Sequence, residues 1–450
     1  MNKTIRLMNI LSKRFGLAIV LFIILFSYQR SYAQDIYDLS RCIQTALERN
    51  YSIQVVRNNQ EVSDNNFTRG NAGMLPTVSS TNRFGGTINN ATQNYDDSKT
   101  TSSGVHNTTA TAGVTLGMTI FDGFRVVNTY KRLGALADLG NLNTQMAIEN
   151  LVAQIVSEYN YYIQQLSLYN NLAYAVSLSR ERVRIDQQRY LLGSASRVEY
   201  LQSMVYLNAD SSRYARQKEE LMTSIVRLNE LMASEDLGRQ IALKDSIIKI
   251  NEELLYEDLL TLTLQNNTSL QIASKNQVIS EMDYNIIKSR AYPYLTMSTG
   301  YNYNYYTYGS GTMETQTING LNYGLTLGID IFDGFNRKRE KKNAMIELEN
   351  KKYKFVEVEQ SIKADLYTIF YAYENNLRLL KLEEQNLAVA RENLEIALER
   401  YKLGSLAGLE LREVQKSLLD AEERLLSVKY QTKLAEISLL QISGKIMEYL

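Results

Sequence analysis

Apolar residues alternate with small or polar residues in two stretches of the chain that have almost the same sequence. Residues 113–125 read GVTLGMTIFDGFR, and residues 324–336, which lie 211 positions later, read GLTLGIDIFDGFN. Alternation with a period of two predicts a β-strand with one apolar face and one small or polar face. The Phe-Asp-Gly-Phe that follows ends each strand, because Asp and Gly favour turns. A phrase that occurs twice also predicts a duplicated fold.

A long helical pattern follows each of these strands. In both copies an apolar residue or a tyrosine recurs at every seventh position, namely Ile155, Tyr162, Tyr169, Val176, Val183 and Tyr190 in the first and Leu366, Tyr373, Leu380, Leu387, Leu394 and Tyr401 in the second. An unbroken seven-residue repeat predicts a coiled-coil seam, and roughly 65 helical residues span on the order of 100 Å. Leu-Gly-Ser at 192–194 and 403–405 ends each helix, and a return helix follows. The sequence therefore predicts two long antiparallel helical hairpins.

The duplication covers nearly the whole chain and sets the predicted boundaries. Upstream of the strands the offset is 217 positions, which also separates the only two prolines, Pro76 and Pro293. Both prolines stand where a helical stretch gives way to a strand, and their absence elsewhere permits long helices. The predicted segments are a signal peptide (1–33), an N-terminal helical segment (34–75), a first barrel β-hairpin (76–125), a first long helical hairpin (126–232), a linker or equatorial element (233–258), a second helical segment (259–292), a second barrel β-hairpin (293–335) and a second long helical hairpin (336–450).

Two long polar stretches are predicted to be the loops of the β-hairpins. In the first hairpin, a strand over 77–87 is followed by a loop over 88–107, which is rich in Asn, Thr, Ser and Asp. In the second, residues 295–305 form a strand, 307–319 form the loop and 321–332 return. Long external loops and the tyrosine-rich segment 301–306 are typical of membrane β-barrels.

The first residues predict export. Four basic residues, an apolar run over 16–26 and Ser-Tyr-Ala at 31–33 form the pattern of a cleaved secretory signal. The apolar run is shorter than the roughly 20 residues that cross a bilayer, although an uncleaved anchor is the alternative. Cys42, the single cysteine, cannot form an internal disulfide.

Composition narrows the possible functions. The 49 basic and 49 acidic residues cancel, which argues against a nucleic-acid partner. His106, the only histidine, lies in a polar stretch, so neither a histidine metal site nor a catalytic triad is expected, and no cofactor is expected. Glu410 and Glu413 lie on one helix face and are the obvious carboxylate pair for an envelope enzyme, but no second catalytic motif accompanies them.

Four strands in one chain cannot lie in lipid with open edges, because the unpaired backbone groups would have no hydrogen-bond partner there. Several copies must therefore share one barrel, and two or three chains would give eight or twelve strands. Only the wider barrel leaves much room for a lumen. The alternative is an exported periplasmic adaptor or structural coiled-coil protein without a barrel.

The duplicated strand, long helix, Tyr-x-x-Gly-Ser turn and return helix resemble the outer membrane efflux protein family over essentially the whole mature chain. The resemblance implies an α+β membrane protein in which three chains form a twelve-stranded β-barrel, continued by an α-helical coiled-coil barrel through the periplasm. It also implies an exit duct of a tripartite efflux or type I secretion system. The expected partners are a homotrimer, a periplasmic adaptor, an inner-membrane pump and outer-membrane lipid.

The same resemblance assigns candidate site residues to the tips of the helical hairpins. The turns expected to dock the adaptor are Leu192, Gly193, Ser194, Leu403, Gly404 and Ser405. Glu199, Glu410 and Glu413 fall where the family commonly has aspartates that line the tunnel entrance. Leu406 stands where some members have a basic residue that ties the gate shut, and Arg197 and Arg412 are the nearby substitutes. A simple helix end and a solvated helix face are the alternatives for the turns and the glutamates.

A basic cluster follows the second barrel strand. It consists of Arg337, Lys338, Arg339, Lys341 and Lys342. Anionic lipid head groups are one expected partner of such a cluster, and a solvated helix start is the other interpretation. Its position at the start of a helix opposes the helix dipole.

Overall fold

The protein is described by a computed structural model that covers residues 36–449. The predicted signal peptide, 1–33, lies outside the described residues. The first half contains, in order, β1 (Ile36–Tyr37), α1 (Leu39–Arg49), α2 (Tyr51–Asn66), β2 (Thr77–Tyr95), β3 (Ser98–Asp122), α3 (Arg125–Leu191) and α4 (Arg197–Leu231). The second half contains β4 (Ala242–Leu243), α5 (Tyr256–Asn266), α6 (Thr268–Ser289), β5 (Tyr294–Thr307), β6 (Thr315–Gly328), α7 (Asn336–Lys402), α8 (Gly408–Ile442) and a 3-10 turn (Ile446–Tyr449).

The two halves repeat each other down to single hydrogen bonds. Asn50 caps α2 and donates through Nδ2 to the Leu231 carbonyl at 3.0 Å. Asn267 caps α6 and donates through Nδ2 to the Ile442 carbonyl at 2.9 Å. Each asparagine therefore joins the start of a short helix to the end of the return helix in its own half, which fixes the base of each helical hairpin.

Both long helices have 67 residues, close to the predicted length. All six seam residues of α7, from Leu366 to Tyr401, are buried. On α3 the seam is buried at Ile155 and Tyr162, but Tyr190 at its far end is 39% exposed. Burial therefore follows the heptad fully in the second copy and only in part in the first. Within residues 36–449, no helix is long and apolar enough to cross a membrane.

The four long strands form one antiparallel sheet in the order β2-β3-β5-β6. Neither outer edge of this sheet, along β2 or along β6, is paired with another strand among the described residues. The pair Asp96 and Asp97 forms the turn between β2 and β3, and residues 308–314 connect β5 to β6. The sheet is thus open on both sides within a single chain.

The predicted loop over 88–107 is wrong, because these residues pair as strands. Ile88 lies opposite His106 and Tyr95 lies opposite Ser98, with one irregularity between Asn89 and Ala91. Threonine is common here and suits extended backbone, and the ladder bonds need no apolar side chain. The second hairpin also differs from the prediction, since β6 starts at Thr315, inside the predicted loop, and ends at Gly328.

The largest core cluster lies at the base of the helical hairpins, where α1, α3, α4 and α8 meet the segment that contains β4. β1 pairs with β4 in parallel, so the predicted linker over 233–258 closes onto the N-terminal segment. The phenol of Tyr159 donates to Asp245 at 2.8 Å. Cys42 is fully buried in this cluster, and burial raises the pKa of its thiol to about 12, so it stays a thiol at neutral pH.

Candidate functional site

The sheet has two chemically distinct faces. Cross-strand partners share a face, and the strand register puts large apolar residues on one side: Val78, Phe84, Ile88, Val114, Leu116, Met118, Leu295, Met297, Tyr301, Tyr303, Tyr305, Leu321, Tyr323, Leu325 and Leu327. Apart from Tyr294, Tyr306 and Ile318, the other side carries mainly small or polar residues: Thr77, Ser79, Thr81, Thr109, Thr111, Gly113, Thr115, Gly117, Thr296, Ser298, Gly300, Asn302, Gly320, Asn322, Gly324 and Thr326. Tyr323 is 85% exposed and Leu327 is 74% exposed, so the apolar face has no cover within the chain. Such a sheet suits a boundary between lipid and water.

The two tip turns have the same geometry at the far ends of the long helices. Gly193 and Gly404 adopt φ of 75° and 78°, a left-handed conformation that glycine adopts at no steric cost. A serine follows each glycine and closes the turn. The Ser194 backbone N–H donates to the Arg189 carbonyl, and the Ser405 backbone N–H donates to the Arg400 carbonyl, both at 2.9 Å. These bonds satisfy carbonyls at the helix ends.

The residue before each tip glycine is a leucine whose side chain is largely exposed to solvent. Leu192 is 83% exposed and Leu403 is 82% exposed. Of the predicted docking residues, Leu192 and Leu403 are therefore the two exposed apolar side chains, one at each tip.

The structure places the three predicted glutamates on the surface of the return helices. Glu199 belongs to a capping box, in which it accepts from the Ser196 backbone at 2.9 Å while the Ser196 hydroxyl accepts from the Glu199 backbone at 3.2 Å. Glu410 lies in the first turn of α8, one helical turn before Glu413, and both are exposed. Within the described chain no hydrogen bond or ion pair links these three carboxylates to one another, and Arg197, also exposed, contacts none of them in this way.

Arg412 occupies a different environment from Arg197. It is buried and forms two hydrogen bonds with Asp210 of α4, at 2.7 and 2.9 Å, so it ties α8 to α4. Asp210 is only 1% exposed and also accepts from the Ser179 hydroxyl of α3 at 2.5 Å. The sequence prediction named Arg412 but not Asp210, and the pair lies inside the helical bundle rather than at its surface.

A second polar connection joins α3 to α7 near the tips. The Tyr401 hydroxyl donates to Asp186, and Arg189 donates to the Tyr401 carbonyl with its guanidinium 4.7 Å from the centre of the Tyr401 ring. The pKa of Tyr401 is raised to about 12, mainly by burial and to a lesser extent by the hydrogen bond to Asp186. The phenol therefore stays protonated and able to donate at neutral pH.

Arg182 lies between these two connections. Its guanidinium is 3.8 Å from Asp186 and 4.9 Å from the centre of the Tyr206 ring, while Arg412 is 5.1 Å from that centre. Both guanidiniums thus lie within cation–π distance of the same aromatic ring. We call the set Arg182, Asp186, Arg189, Tyr206, Asp210, Tyr401 and Arg412 the tip network.

A signal for the tip network was present in the sequence. Leu168, Leu172 and Ala175 begin a stripe with four- and three-residue spacing on α3, and Ser179, Arg182 and Asp186 continue it. Charged residues in an apolar stripe are expensive to bury unless they are paired. The corresponding residues of the second copy are Ala390, Asn393 and Ala397, so the buried arginine and aspartate of α3 have no counterpart on α7.

The described residues contain no group of three or more His, Cys, Asp or Glu side chains placed to hold a metal ion. Glu410 and Glu413, the carboxylate pair considered for an enzyme, are both exposed on α8.

The sequence matches the family model of the outer membrane efflux protein over residues 42–234 and 259–445. The chain is 24% identical over 200 residues to the outer membrane protein TolC of Vibrio cholerae, a match that spans 43% of this chain and 44% of that relative.

Solved structures with the same fold cover nearly the whole chain. The outer membrane protein VceC of Vibrio cholerae has a TM-score of 0.75 at 14% identity, with 90% of this chain and 96% of that chain covered. The CmeC outer membrane channel of Campylobacter jejuni has a TM-score of 0.77 at 14% identity, with 90% and 85% covered. The MtrE outer membrane channel of Neisseria gonorrhoeae, solved in an open state, has a TM-score of 0.70 at 15% identity, with 90% and 88% covered.

Proposed function

The chain belongs to the outer membrane efflux protein family, and we propose that it forms a trimeric exit duct that conducts substrates across the periplasm and the outer membrane. The family is one of transport channels, and its members lie in the outer membrane. The observation that carries the proposal is the open four-stranded sheet, apolar on one face and small or polar on the other. Such a sheet is complete only when its two edges are paired.

Closure by further copies of the chain explains both the edges and the faces. The free edge of β2 in one copy would pair with the free edge of β6 in the next, which removes every unpaired backbone group from the lipid. Three copies give twelve strands, with the apolar face outward and the threonines, glycines and asparagines facing water. Twelve strands leave a lumen that eight would fill with side chains.

The long helices supply the second part of the duct. Sixty-seven residues in α3 and in α7 correspond to roughly 100 Å of helix, enough to carry a conduit far from the membrane. In a trimer, six long helices and six return helices would enclose this conduit, and each tip would present Leu192 or Leu403. We assign these two exposed leucines to the docking of a periplasmic adaptor, which would connect the duct to an inner-membrane pump.

The tip network is well placed to hold the conduit shut. It joins the first helical hairpin, α3 and α4, to the second, α7 and α8, through Arg412 with Asp210 and through Tyr401 with Asp186. Opening by separation of the two hairpins would have to break both connections. Glu199, Glu410 and Glu413, repeated three times around the axis, would make the mouth attractive to cations.

The oligomeric state and the extraction behaviour test this proposal. The protein should remain in the membrane after an alkaline wash, require detergent for release, and show by light scattering a protein mass three times that of one chain. The variant L325D/L327D, which puts charges on the apolar face, should fail to insert, whereas T326D on the opposite face should insert. A monomer released without detergent would overturn the proposal.

A further inference from the structure

The Phe-Asp-Gly-Phe turns hold a strained and exposed aromatic residue in both copies. Phe124 and Phe335 have φ of 69° and 65°, a conformation that a bulky side chain rarely adopts. They are 59% and 69% exposed, so most of each side chain is not packed within the chain. Strain retained at the same position in both halves indicates that the exposed ring has a use.

The strand register shows which way these rings face. A bulge between Thr119 and Phe121 puts Phe121 opposite Leu295, in the row that continues with Met297. Phe121 therefore lies on the apolar face of the sheet. Phe124 contacts it edge to face, with 5.3 Å between ring centres.

The second copy has the same aromatic pair. Phe332 and Phe335 are in edge-to-face contact with 5.3 Å between ring centres. Asp333 accepts from the Arg337 backbone at 2.8 Å, as Asp122 accepts from the Val126 backbone at 3.2 Å. By the duplication, Phe335 corresponds to Phe124 and lies at the end of the apolar face that is next to the long helices. It stands in the turn between β6 and α7.

Two lysines that follow Phe335 in the sequence lie on one line of α7. Lys338 and Lys342 follow at three and seven positions, so they lie about 5 and 10 Å further along the helix axis. The opposite side of α7 packs on α6, where Arg290 pairs with Glu340 at 2.8 Å. Lys338 and Lys342 are exposed, and among residues 36–449 neither has a carboxylate within ion-pair distance.

In the first copy, this line of the helix stays uncovered although other helices pack on both sides of it. α3 is packed by α2 on one side and by α6 on the other, yet Val127, the counterpart of Lys338, remains 41% exposed. Lys131 is the counterpart of Lys342, so the first copy has one lysine where the second has two. A neighbouring chain at α7 would therefore leave Lys338 and Lys342 accessible.

We propose that Phe335, Lys338 and Lys342 form an anchor that binds the phosphate groups of anionic phospholipids at the periplasmic boundary of the membrane. The anchor rests on the proposed function, because it requires the apolar face of the sheet to lie in lipid. The phenyl ring fills the border of the acyl region, and the ammonium groups reach the phosphates one to two helical turns further out. Lipid phosphate also offsets the unfavourable position of two cations at a helix start.

The chain contains no tryptophan, which permits a direct test by fluorescence. The variant F335W gives a single indole at the anchor, and F124W gives its matched control in the first copy. Each is reconstituted in phosphatidylcholine vesicles that contain the same small fraction of either brominated phosphatidylglycerol or brominated phosphatidylcholine. The ratio of the two quenching efficiencies measures the local enrichment of anionic lipid.

We expect the anionic lipid to quench F335W more strongly, with an enrichment of about fivefold for each lysine at low salt. The enrichment should be smaller for F124W and should vanish in F335W/K338V/K342Q. Equal quenching by the two lipids in F335W, an enrichment that survives the lysine substitutions, or no quenching by either lipid would overturn the anchor.

Conductance and vesicle flotation, measured on the same samples, separate the two proposals. A protein that floats with the vesicles and conducts ions but shows no enrichment disproves the anchor alone. A protein that neither floats nor conducts disproves the duct and the anchor together.

Discussion

Arg412 and Asp210 lie 202 positions apart in the chain and form a buried, doubly hydrogen-bonded ion pair between α8 and α4. Arg412 is 9% exposed and Asp210 1%. Loss of one partner leaves the other charged and desolvated, which typically costs about 3–5 kcal/mol. Substitution of one partner alone should therefore destabilise the contact between the two helical hairpins.

Arg412→Met should weaken the hold between the two hairpins. We expect the resting open population in planar bilayers to rise on the order of tenfold or more, because Asp210 would lose its only guanidinium partner in the network. The control is Lys354→Met, which removes an exposed ion pair with Glu357 on α7 and should change nothing measurable. Unchanged gating in Arg412→Met would show that the ion pair is purely structural.

The double variant D210A/R412L separates charge from packing. It introduces the residue types that the other half of the chain has at the matching positions, Ala421 and Leu201. We expect thermal stability to recover much of what Arg412→Met loses, because no buried charge is left unpaired. The open population should stay high, since the ion pair is still absent. Recovery of both properties would argue against a lock based on charge.

Tyr401 gives the network a dependence on alkaline pH. Its folded-state pKa is raised to about 12, above its ordinary value of about 10, so the folded protein holds this proton more tightly than the unfolded chain. Its contribution is fully present below pH 10 and is lost as the pH rises through 12. We expect Tyr401→Phe to lose less stability than the wild type between pH 9 and 12, as followed by thermal unfolding. Identical losses in the two proteins would contradict the assignment.

The exposed glutamates at the tips should set ion preference. In E410Q/E413Q, the reversal potential under a potassium chloride gradient should move toward zero, because six carboxylates disappear from a trimeric mouth. Glu235→Gln, which removes one exposed carboxylate from the equatorial element, is the control and should leave the reversal potential unchanged. An equal effect of both variants would place Glu410 and Glu413 away from the conducting path.

The two turn glycines before α3 and α7 offer a matched comparison. Gly123 and Gly334 both have φ of 68°, which costs a non-glycine residue roughly 1 kcal/mol. A Cβ on Gly123 would lie 2.3 Å from the Ser289 carbonyl oxygen, whereas one on Gly334 would meet only the Asn336 side chain at 3.7 Å. Gly123→Ala should therefore prevent proper folding of the chain.

Gly334→Ala tests whether neighbouring chains meet at the second turn glycine in the proposed trimer. The residues that match Ser289 and Tyr292 in the first half are Ala72 and Leu75, and in a closed ring the next chain would bring them to Gly334. We expect Gly334→Ala to leave the chain folded by circular dichroism but to lower the temperature at which the trimer dissociates. No effect on dissociation would contradict this packing between chains.

The strands and long helices could be predicted because the same sequence patterns occur in both halves of the chain. Period-two alternation predicted the strands and the heptad predicted α3 and α7, since each pattern reports which residues share one face of an element. The extent of the strands was mispredicted at 88–107, where backbone hydrogen bonds continue the ladder without apolar side chains. The tip network was not predicted as a whole, because nothing in the sequence pairs Asp210 with Arg412. The two residues meet only when the fold brings α4 and α8 together. The most informative positions are those where the halves diverge, such as Asp186 against Ala397.

Single-channel conductance of the detergent-extracted wild-type protein in a planar bilayer is the most direct test of the proposed trimeric duct. A trimeric duct should give stable current steps of uniform size with a preference for cations. A protein that is extracted as a trimer but gives no steps at any applied voltage, either alone or as Arg412→Met, would contradict it.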